Sequence, residues 1–448
     1  MISQSKSTTM SVFTACVVSV VGTLSPLSAQ DIVIPPGVTV VVDTTFSFLQ
    51  STTGELVKVT NGHVALESFV LGDGAVLELR GPNPFRMLAR KQIDIFGRID
   101  AKGYNAQDVK GVFTAMLPEP GAPGNLGSGA GGTASASQTS STAAGGQGFQ
   151  AFATTGGGHG GESGYGANPS SSSLSQVQNS NPKYRRGAGG GGGTFGPDAT
   201  GSTAAGVSSK GLVAMPGGNG STFAFGALGS PFPMGGAIGQ SPFQDFDSEN
   251  DYWGVRFDRA TGQLVVGELP GLTAGAGGGG GGDSIRSFTF PNPNFSSATE
   301  DKGAGGGGGG GALHLRAIGR INMFNQLTGA QGSIHANGGD GGNGQLIQFL
   351  NNFFVRSGGG GGGGSGGHIV LESSTGIDLG VGAQILEARG GFGGQSTSPA
   401  TVGFGGQGGP GVIQLHSPGG KHSIKSALPL KRVGVPDPKV LLPRHGLK

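Results

Sequence analysis

The sequence predicts an all-β fold, and more specifically a parallel β-helix of short stacked strands with long glycine-rich insertions. Three observations support this prediction: an apolar spacing that recurs, a short strand that follows each recurrence, and glycine runs that lie between the copies. A β-sandwich with long loops is the alternative, because its strands also alternate apolar and polar residues.

The recurring spacing is apolar-x-apolar-x-small, then three residues, then apolar-x-apolar. It occurs at residues 85–95, 313–323 and 369–379, and a partial fourth copy begins at Ile413. Alternate residues of a strand point to the same face, so each copy presents one apolar face on two short strands. A sandwich does not need one fixed corner spacing in every copy, and the repeat therefore favours stacking of successive coils.

A third short strand is predicted after each pair, at residues 97–103, 332–338 and 382–390. The third of these contains one or two extra residues, which a β-bulge would absorb. Residues 31–42 join two β-rich runs through a Pro-Pro-Gly turn and are predicted to cap or begin the stack.

Composition divides the chain into five parts. They are a signal peptide (residues 1–29), an N-terminal β-helix segment (30–103), a glycine- and serine-rich low-complexity insertion (104–311), a C-terminal β-helix segment (312–417) and a basic, proline-containing tail (418–448). Glycine supplies 97 of the 448 residues and charged residues only 12%. The folded core is therefore expected to be smaller than the chain length suggests.

The first 29 residues have the pattern of a secretory signal. Lys6 precedes an apolar run at residues 10–21, and small residues that end at Ala29 follow it, which predicts cleavage after Ala29. The run is shorter than the roughly 20 residues that a membrane-spanning helix needs. Cys16, the only cysteine, lies inside this segment, so the mature chain is expected to lack disulfides and any transmembrane segment. Lipidation at Cys16 is the less favoured alternative.

The long glycine runs at residues 189–193, 277–282, 305–311 and 358–364 allow two interpretations. Ordering a glycine costs about 0.5–1 kcal/mol more than ordering an alanine, which favours flexible loops. Only glycine, however, lets extended left-handed helices pack backbone against backbone, which would give a polyglycine bundle. None of the runs has the lysine and the serine or threonine of a phosphate-binding loop.

No catalytic, cofactor-binding or metal-binding residue is nominated. The net charge of +2 argues against nucleic acid as a partner. A polysaccharide-active β-helix enzyme would need acids and a basic residue converging on one groove. The acids that such an enzyme would draw on are Asp94, Asp100, Asp378 and Glu387.

Three short motifs have residue types that occur in catalytic or calcium-binding sites. Gly158-His159-Gly160 is similar to a motif of pectin-degrading hydrolases but lacks their clustered aspartates. Alternating acids suit calcium, but Asn250 and Arg256 occupy the positions that an EF-hand gives to glycine and glutamate. A solvated acidic turn is therefore favoured. Those acids are Asp245, Asp247, Glu249 and Asp251. Residues 338–344 match a calcium-binding nonapeptide only once and without its apolar position.

The arrangement of a glycine run, a strand and Gly-x-Ile-x-Ala-x-Gly, at residues 97–103 and 332–338, resembles glycine-rich extracellular β-helix proteins of bacteria. These include adhesins and autotransporter passenger regions. The resemblance implies a secreted or cell-surface structural or adhesive protein without catalysis, whose partners are surface glycans or other matrix components. A polysaccharide-active enzyme and a polyglycine module that binds a ligand are the alternatives.

Overall fold

The structure is a computed structural model in which part of the chain is described. The described residues are 30–109, 118–134, 147–148, 164–166, 189–196, 236, 238–239, 242–243, 250, 252–258, 263–289, 296–349, 354–380, 385–395, 404–417, 422–424 and 439–441. This part is all-β and contains no helix, which confirms the predicted class. Across these residues, no helix has the length and apolar character that crossing a membrane requires.

The strands are short. The first ten are β1 (Asp31–Ile34), β2 (Thr39–Asp43), β3 (Phe46–Gln50), β4 (Leu56–Thr60), β5 (His63–Leu66), β6 (Ser68–Leu71), β7 (Val76–Arg80), β8 (Phe85–Ala89), β9 (Ile93–Ile95) and β10 (Arg98–Asp100). The next eight are β11 (Gly164–Gly166), β12 (Val255–Asp258), β13 (Gln263–Val266), β14 (Ser284–Thr289), β15 (Ser296–Asp301), β16 (Ala312–Ala317), β17 (Ile321–Asn322) and β18 (Ser333–His335). The remaining described strands are β19 (Leu346–Phe349), β20 (Phe354–Ser357), β21 (His368–Ser373), β22 (Ile377–Gly380), β23 (Leu386–Glu387), β24 (Val412–His416), β25 (His422–Ile424) and β26 (Lys439–Leu441).

Three sheets carry the core. Sheet A has the order β1-β6-β9-β17-β22-β25, sheet B the order β2-β7-β10-β18-β23, and sheet C the order β26-β24-β21-β16-β8-β5-β4-β3. The neighbours pair in parallel, except for β3, β4 and β5, which form an antiparallel edge of sheet C. The chain visits sheets A, B and C in turn, as in β6-β7-β8 and again in β17-β18-β21.

The sequence repeat coincides with the strand register. Strands β8, β16, β21 and β24 align Met87, Leu315, Leu371 and Leu415 in one row. A second row joins Ile93, Ile321 and Ile377 on sheet A, and a third joins Ile99, Ile334 and Leu386 on sheet B. These side chains are buried in one apolar cluster together with Leu313 and Ile369. The predicted apolar faces therefore form a common core.

The structure describes the predicted first segment in full but the predicted bulge only in part. Strands β1 and β2 form the edges of sheets A and B, the position expected of a segment that begins the stack. The bulge expected in residues 382–390 falls partly on residues 381–384, outside the described residues.

The glycine runs are packed against one another, so the flexible-loop interpretation is wrong for them. We call the described segments 103–109, 121–134, 189–196, 273–283, 302–311, 338–345, 358–367, 388–395 and 404–411 the glycine bundle. The amides of Gly361, Gly362 and Gly363 donate to the carbonyls of Gly342, Gly279 and Gly406 at 3.0, 2.7 and 2.9 Å. Three successive residues thus bond to three different segments, as expected for an extended helix with about three residues per turn.

The packing leaves no room for side chains at most bundle glycines. A Cβ at Gly361 would lie 1.9 Å from the carbonyl oxygen of Gly305, and one at Gly278 would lie 2.1 Å from that of Gly362. Each backbone hydrogen bond returns about 0.5–1.5 kcal/mol, and each Cα–H···O contact about 0.5–1 kcal/mol. Together they offset the extra entropy cost of about 0.5–1 kcal/mol for each ordered glycine.

Segments from residues 104–311 lie among segments of the C-terminal part. Gly190 donates to Gly360 and Gly307 donates to Gly362, both at 2.9 Å, while Gly278 donates to Gly307 at 2.9 Å. The described glycine segments of the low-complexity region are therefore part of the same packed body as residues 358–367.

Candidate functional site

The outward face of sheet C carries a row of aromatic and basic side chains. Because alternate residues of a strand point outward, the register brings Phe46, Thr60, His63, Arg86 and His314 into line across β3, β4, β5, β8 and β16. A parallel row pairs Phe48 with Lys58, and Leu88 with Ala65 and Arg316. We name the following residues the aromatic-basic strip: Phe46, Phe48, Lys58, His63, Arg86, Leu88, Arg316 and Trp253.

Two exposed phenylalanines form one end of the strip. Phe46 and Phe48 are 52% and 46% exposed, and their rings meet edge to face with centroids 5.0 Å apart. The Lys58 ammonium lies 5.1 Å from the centroid of Phe46. The alternating pattern of β3 buries Leu49 and leaves these rings in solvent. Exposed aromatic side chains next to a cation are typical of binding surfaces.

Trp253 forms the other end. Its ring lies 5.3 Å from the Arg86 guanidinium carbon and 5.3 Å, edge-on, from the His314 ring. The Trp253 amide donates to Oε1 of Gln414 at 3.3 Å, and the Trp253 carbonyl accepts from Nε2 of Gln414 at 3.3 Å. These contacts hold Trp253 against residues of β8, β16 and β24.

Beyond Trp253 the outward face of sheet C is covered. Phe195, Phe243 and Leu269 pack on Val412, and Leu272 packs on Val370, in two small apolar clusters that Trp253 borders. The accessible part of the strip therefore runs from β3 to β16. Adjacent strands lie about 4.8 Å apart, so these five strands span about 19 Å.

Among the side chains that the structure describes, the strip contains the cations Lys58, Arg86 and Arg316. The carboxylate of Glu372 lies beside them, 3.1 Å from Nε2 of His314 and 3.5 Å from Nε of Arg316. Lys58 and Arg86 lie against aromatic rings, which leave their charge in place. The surface therefore combines apolar rings that can stack on a sugar with cations that can pair with carboxylate or sulfate groups.

The acids that an enzyme would draw on fall on two faces. Asp94 and Asp378 lie on sheet A on either side of Asn322, whose Nδ2 donates to Asp94 at 2.6 Å. On sheet B, His335 lies in register between Asp100 and Glu387. Burial lowers the pKa of His335, and the facing Glu387 carboxylate opposes that shift. The four acids form two separate pairs and do not converge on one groove.

The other motifs give no site in the described residues. Gly158-His159-Gly160 and the acids Asp245, Asp247, Glu249 and Asp251 lie outside them. Asp340, in the segment that matches a calcium nonapeptide, accepts the Phe392 amide at 2.7 Å, and its own amide donates to Asn105 at 2.8 Å. Asp340 thus links neighbouring segments of the bundle. Among the residues that the structure describes, no three or more His, Cys, Asp or Glu side chains are grouped to hold a metal ion.

The sequence had not singled out the strip. The Phe46-x-Phe48 alternation was the available signal, because it leaves two aromatic residues on the face opposite to Leu49. Trp253 gave no such signal, since the residue that holds it, Gln414, is 161 positions away.

Comparison with known protein families, curated proteins and solved structures finds no match to this chain. The functional assignment of the strip therefore depends on its own geometry and charge.

Proposed function

We propose that the chain is an exported, cell-surface structural and adhesive protein without catalytic activity, and that its fold is a parallel β-helix. We further propose that the aromatic-basic strip binds acidic polysaccharide. The observation that carries this proposal is the row of exposed rings and cations that crosses the antiparallel edge and the adjoining parallel strands of sheet C.

The strand order supports the β-helix. Successive passages of the chain through sheets A, B and C pair in parallel with the preceding passage, as β8, β16 and β21 do. A sandwich would pair neighbouring strands mainly in antiparallel fashion. Stacked parallel strands and a packed glycine bundle would make a rigid support for a surface that must hold its shape against a long ligand.

The start of the first strand supports export. Strand β1 begins at Asp31, so cleavage after Ala29 would leave the first strand and its pairing with β6 intact. The lack of any cysteine after residue 29 is compatible with either redox compartment, and export therefore rests on the N-terminal pattern.

Export is tested by producing the full-length chain in a bacterial host and determining the N-terminus of the product in each cell fraction. We expect the chain outside the cytoplasm to begin at Gln30, because the small residues before it suit signal peptidase. A Val18→Asp variant, which places a charge inside the apolar run at residues 10–21, should stay uncleaved in the cytoplasm. An uncleaved wild-type chain in the cytoplasm would contradict the proposal.

Binding is tested with the purified chain and three polysaccharides: polygalacturonate, dextran sulfate and neutral dextran. We expect salt-sensitive binding to the two acidic polymers and none to dextran, since the surface cations are screened by added salt. The Arg86→Ala variant removes a cation in the centre of the strip and should weaken binding about tenfold, which corresponds to about 1.4 kcal/mol.

The matched control is Arg98→Ala, which removes an exposed arginine from sheet B, where it pairs with Asp100 at 3.8 Å. This variant should bind as the wild type does. Equal weakening by Arg86→Ala and Arg98→Ala would mean that binding depends on the net charge of the protein and not on the strip. Equal binding of neutral dextran and the acidic polymers would exclude recognition of acidic groups. Either result would overturn the assignment of the strip.

A further inference from the structure

One charged pair is fully buried at the end of the glycine bundle. Nζ of Lys302 lies 3.0 Å from Oδ2 of Asp283, and the two side chains are 2% and 0% exposed. The second carboxyl oxygen of Asp283 accepts the Gly303 amide at 2.8 Å, and the Lys302 amide donates to Oε1 of Gln345 at 3.0 Å. The Gly303 backbone amide thus holds the Asp283 carboxylate, and the Gln345 side chain holds the Lys302 backbone.

The pair lies where two segments of the bundle meet the strands β14 and β15. Asp283 ends one bundle segment, Lys302 begins the next, and the antiparallel strands β14 and β15 lie between them. The segments around the pair consist mainly of glycine, and a Cβ at Gly358 would lie 1.9 Å from the Lys302 carbonyl oxygen. Close backbone packing of this kind leaves little water beside the two groups.

Burial changes the chemistry open to the pair. Removing two charges from water is costly, and desolvation favours the neutral amine and the neutral carboxylic acid over the ions. A neutral amine is a nucleophile, and the 3.0 Å contact between Nζ and Oδ2 holds the nitrogen against the carboxyl group that it would attack, as a productive encounter requires. The Gly303 amide is positioned to stabilise negative charge on Oδ1 as the carbonyl carbon is attacked.

We propose that Lys302 and Asp283 condense to an intramolecular isopeptide bond. The Nζ lone pair attacks Cγ of Asp283, and the C–Oδ2 bond breaks. Oδ2 leaves as water with one proton from the acid and one from the amine, and an Nζ–Cγ amide remains. No oxidant, reductant or further reactant takes part. The product links the two ends of the β14–β15 hairpin covalently.

Such a link suits this chain. Cys16 is the only cysteine, so no disulfide can close any loop within the folded part. A covalent closure between residues 283 and 302 restricts the unfolded chain as a disulfide would, and it does so where many ordered glycines raise the entropy cost of folding.

The chain contains its own control. Lys102 and Asp100 make the same type of contact at 3.1 Å, but their side chains are 41% and 17% exposed. Water solvates that pair, and the two side chains are expected to remain unlinked. Burial, and not distance, distinguishes the two pairs.

The test is the intact mass of the wild-type chain and a tryptic digest. The mass should lie one water molecule below that calculated from the observed N-terminus. Trypsin should fail to cleave after Lys302 and should release a branched peptide of residues 260–286 joined to residues 287–316, while it cleaves normally after Lys102. Free peptides 287–302 and 303–316 with an unshifted intact mass would overturn the proposal, and a link at Lys102 as well would overturn the role given to burial.

A Lys302→Arg variant separates the bond from the charge pair. Arginine keeps the positive charge beside Asp283 but has no amine that condenses readily. Its intact mass should show no loss of water, and its melting temperature should fall below that of the linked wild type. A persistent loss of water in this variant would show that other residues are linked and would also overturn the proposal.

Discussion

Replacing Gly361 by alanine is expected to destabilise the glycine bundle strongly. The added Cβ would lie 1.9 Å from the carbonyl oxygen of Gly305 and 2.5 Å from its carbon. Both are backbone atoms, and the oxygen accepts a hydrogen bond from the Gly342 amide at 3.0 Å, so neither can move without disturbing that bond. We expect a loss of about 3 kcal/mol in the free energy of unfolding, the upper end of the usual cost of overpacking. Alanine restricts the unfolded chain and so gains only about 0.4–1 kcal/mol, which the clash exceeds.

The matched control is Gly271→Ala, in the connection that leads into the bundle. The nearest atom to a Cβ at Gly271 is Nε1 of Trp253 at 4.0 Å, and its φ lies outside the left-handed region. This variant should unfold within about 0.5 kcal/mol of the wild type. Urea denaturation of the two variants measures the difference. Equal stability of Gly361→Ala and Gly271→Ala would mean that the bundle is not packed as described.

The second large effect is expected from Leu371→Ala. Leu371 is fully buried between Leu315 and Leu415 in the row that crosses sheet C. Truncation removes apolar contacts on both sides and leaves a cavity that the flanking strands cannot close, at a cost of about 3–5 kcal/mol. Thermal or urea unfolding provides the measurement.

Leu88→Ala is the control for this change. Leu88 lies on β8 in the same sheet but points outward and is 41% exposed. The same deletion of atoms should therefore cost less than about 1 kcal/mol. A similar loss in both variants would contradict a core made of stacked rows, because the inward and outward faces would then be equivalent.

The stacked rows could be predicted from the sequence because their signal is local. Residues such as Leu313 and Leu315 alternate within one strand, and the spacing to Ile321 is the same in each copy. Side-chain alternation and a fixed corner suffice to indicate which face is buried. Partner strands then follow by matching one copy with the next.

The sequence could not distinguish the glycine bundle from flexible loops, and the reason is physical. A glycine run contains no pattern, and its stability comes from hydrogen bonds to distant segments, such as Gly362 to Gly279 and Gly409 to Gly193. Asn and Asp at every third position of residues 337–343 are a sequence signal that favours the bundle. Asn337, Asp340 and Asn343 each accept an amide from the adjoining segment through a side-chain oxygen.

The candidate site could not be predicted from the sequence for a related reason. Its residues come from segments that are far apart in the sequence, and its position depends on Trp253 reaching the outward face of sheet C. The buried Lys302–Asp283 pair depends in the same way on how the bundle closes around it. Sequence patterns report the face of a strand but not which remote segment will cover it.

Amide hydrogen exchange of residues 358–367 in the folded chain tests most directly whether the glycine segments are ordered by mutual hydrogen bonds. These amides should exchange as slowly as those of the adjoining strand β21, because both are buried and bonded to neighbouring segments. Exchange of the glycine amides at the rate of an unfolded peptide, with β21 protected, would contradict the bundle and the rigid support that the proposed function requires.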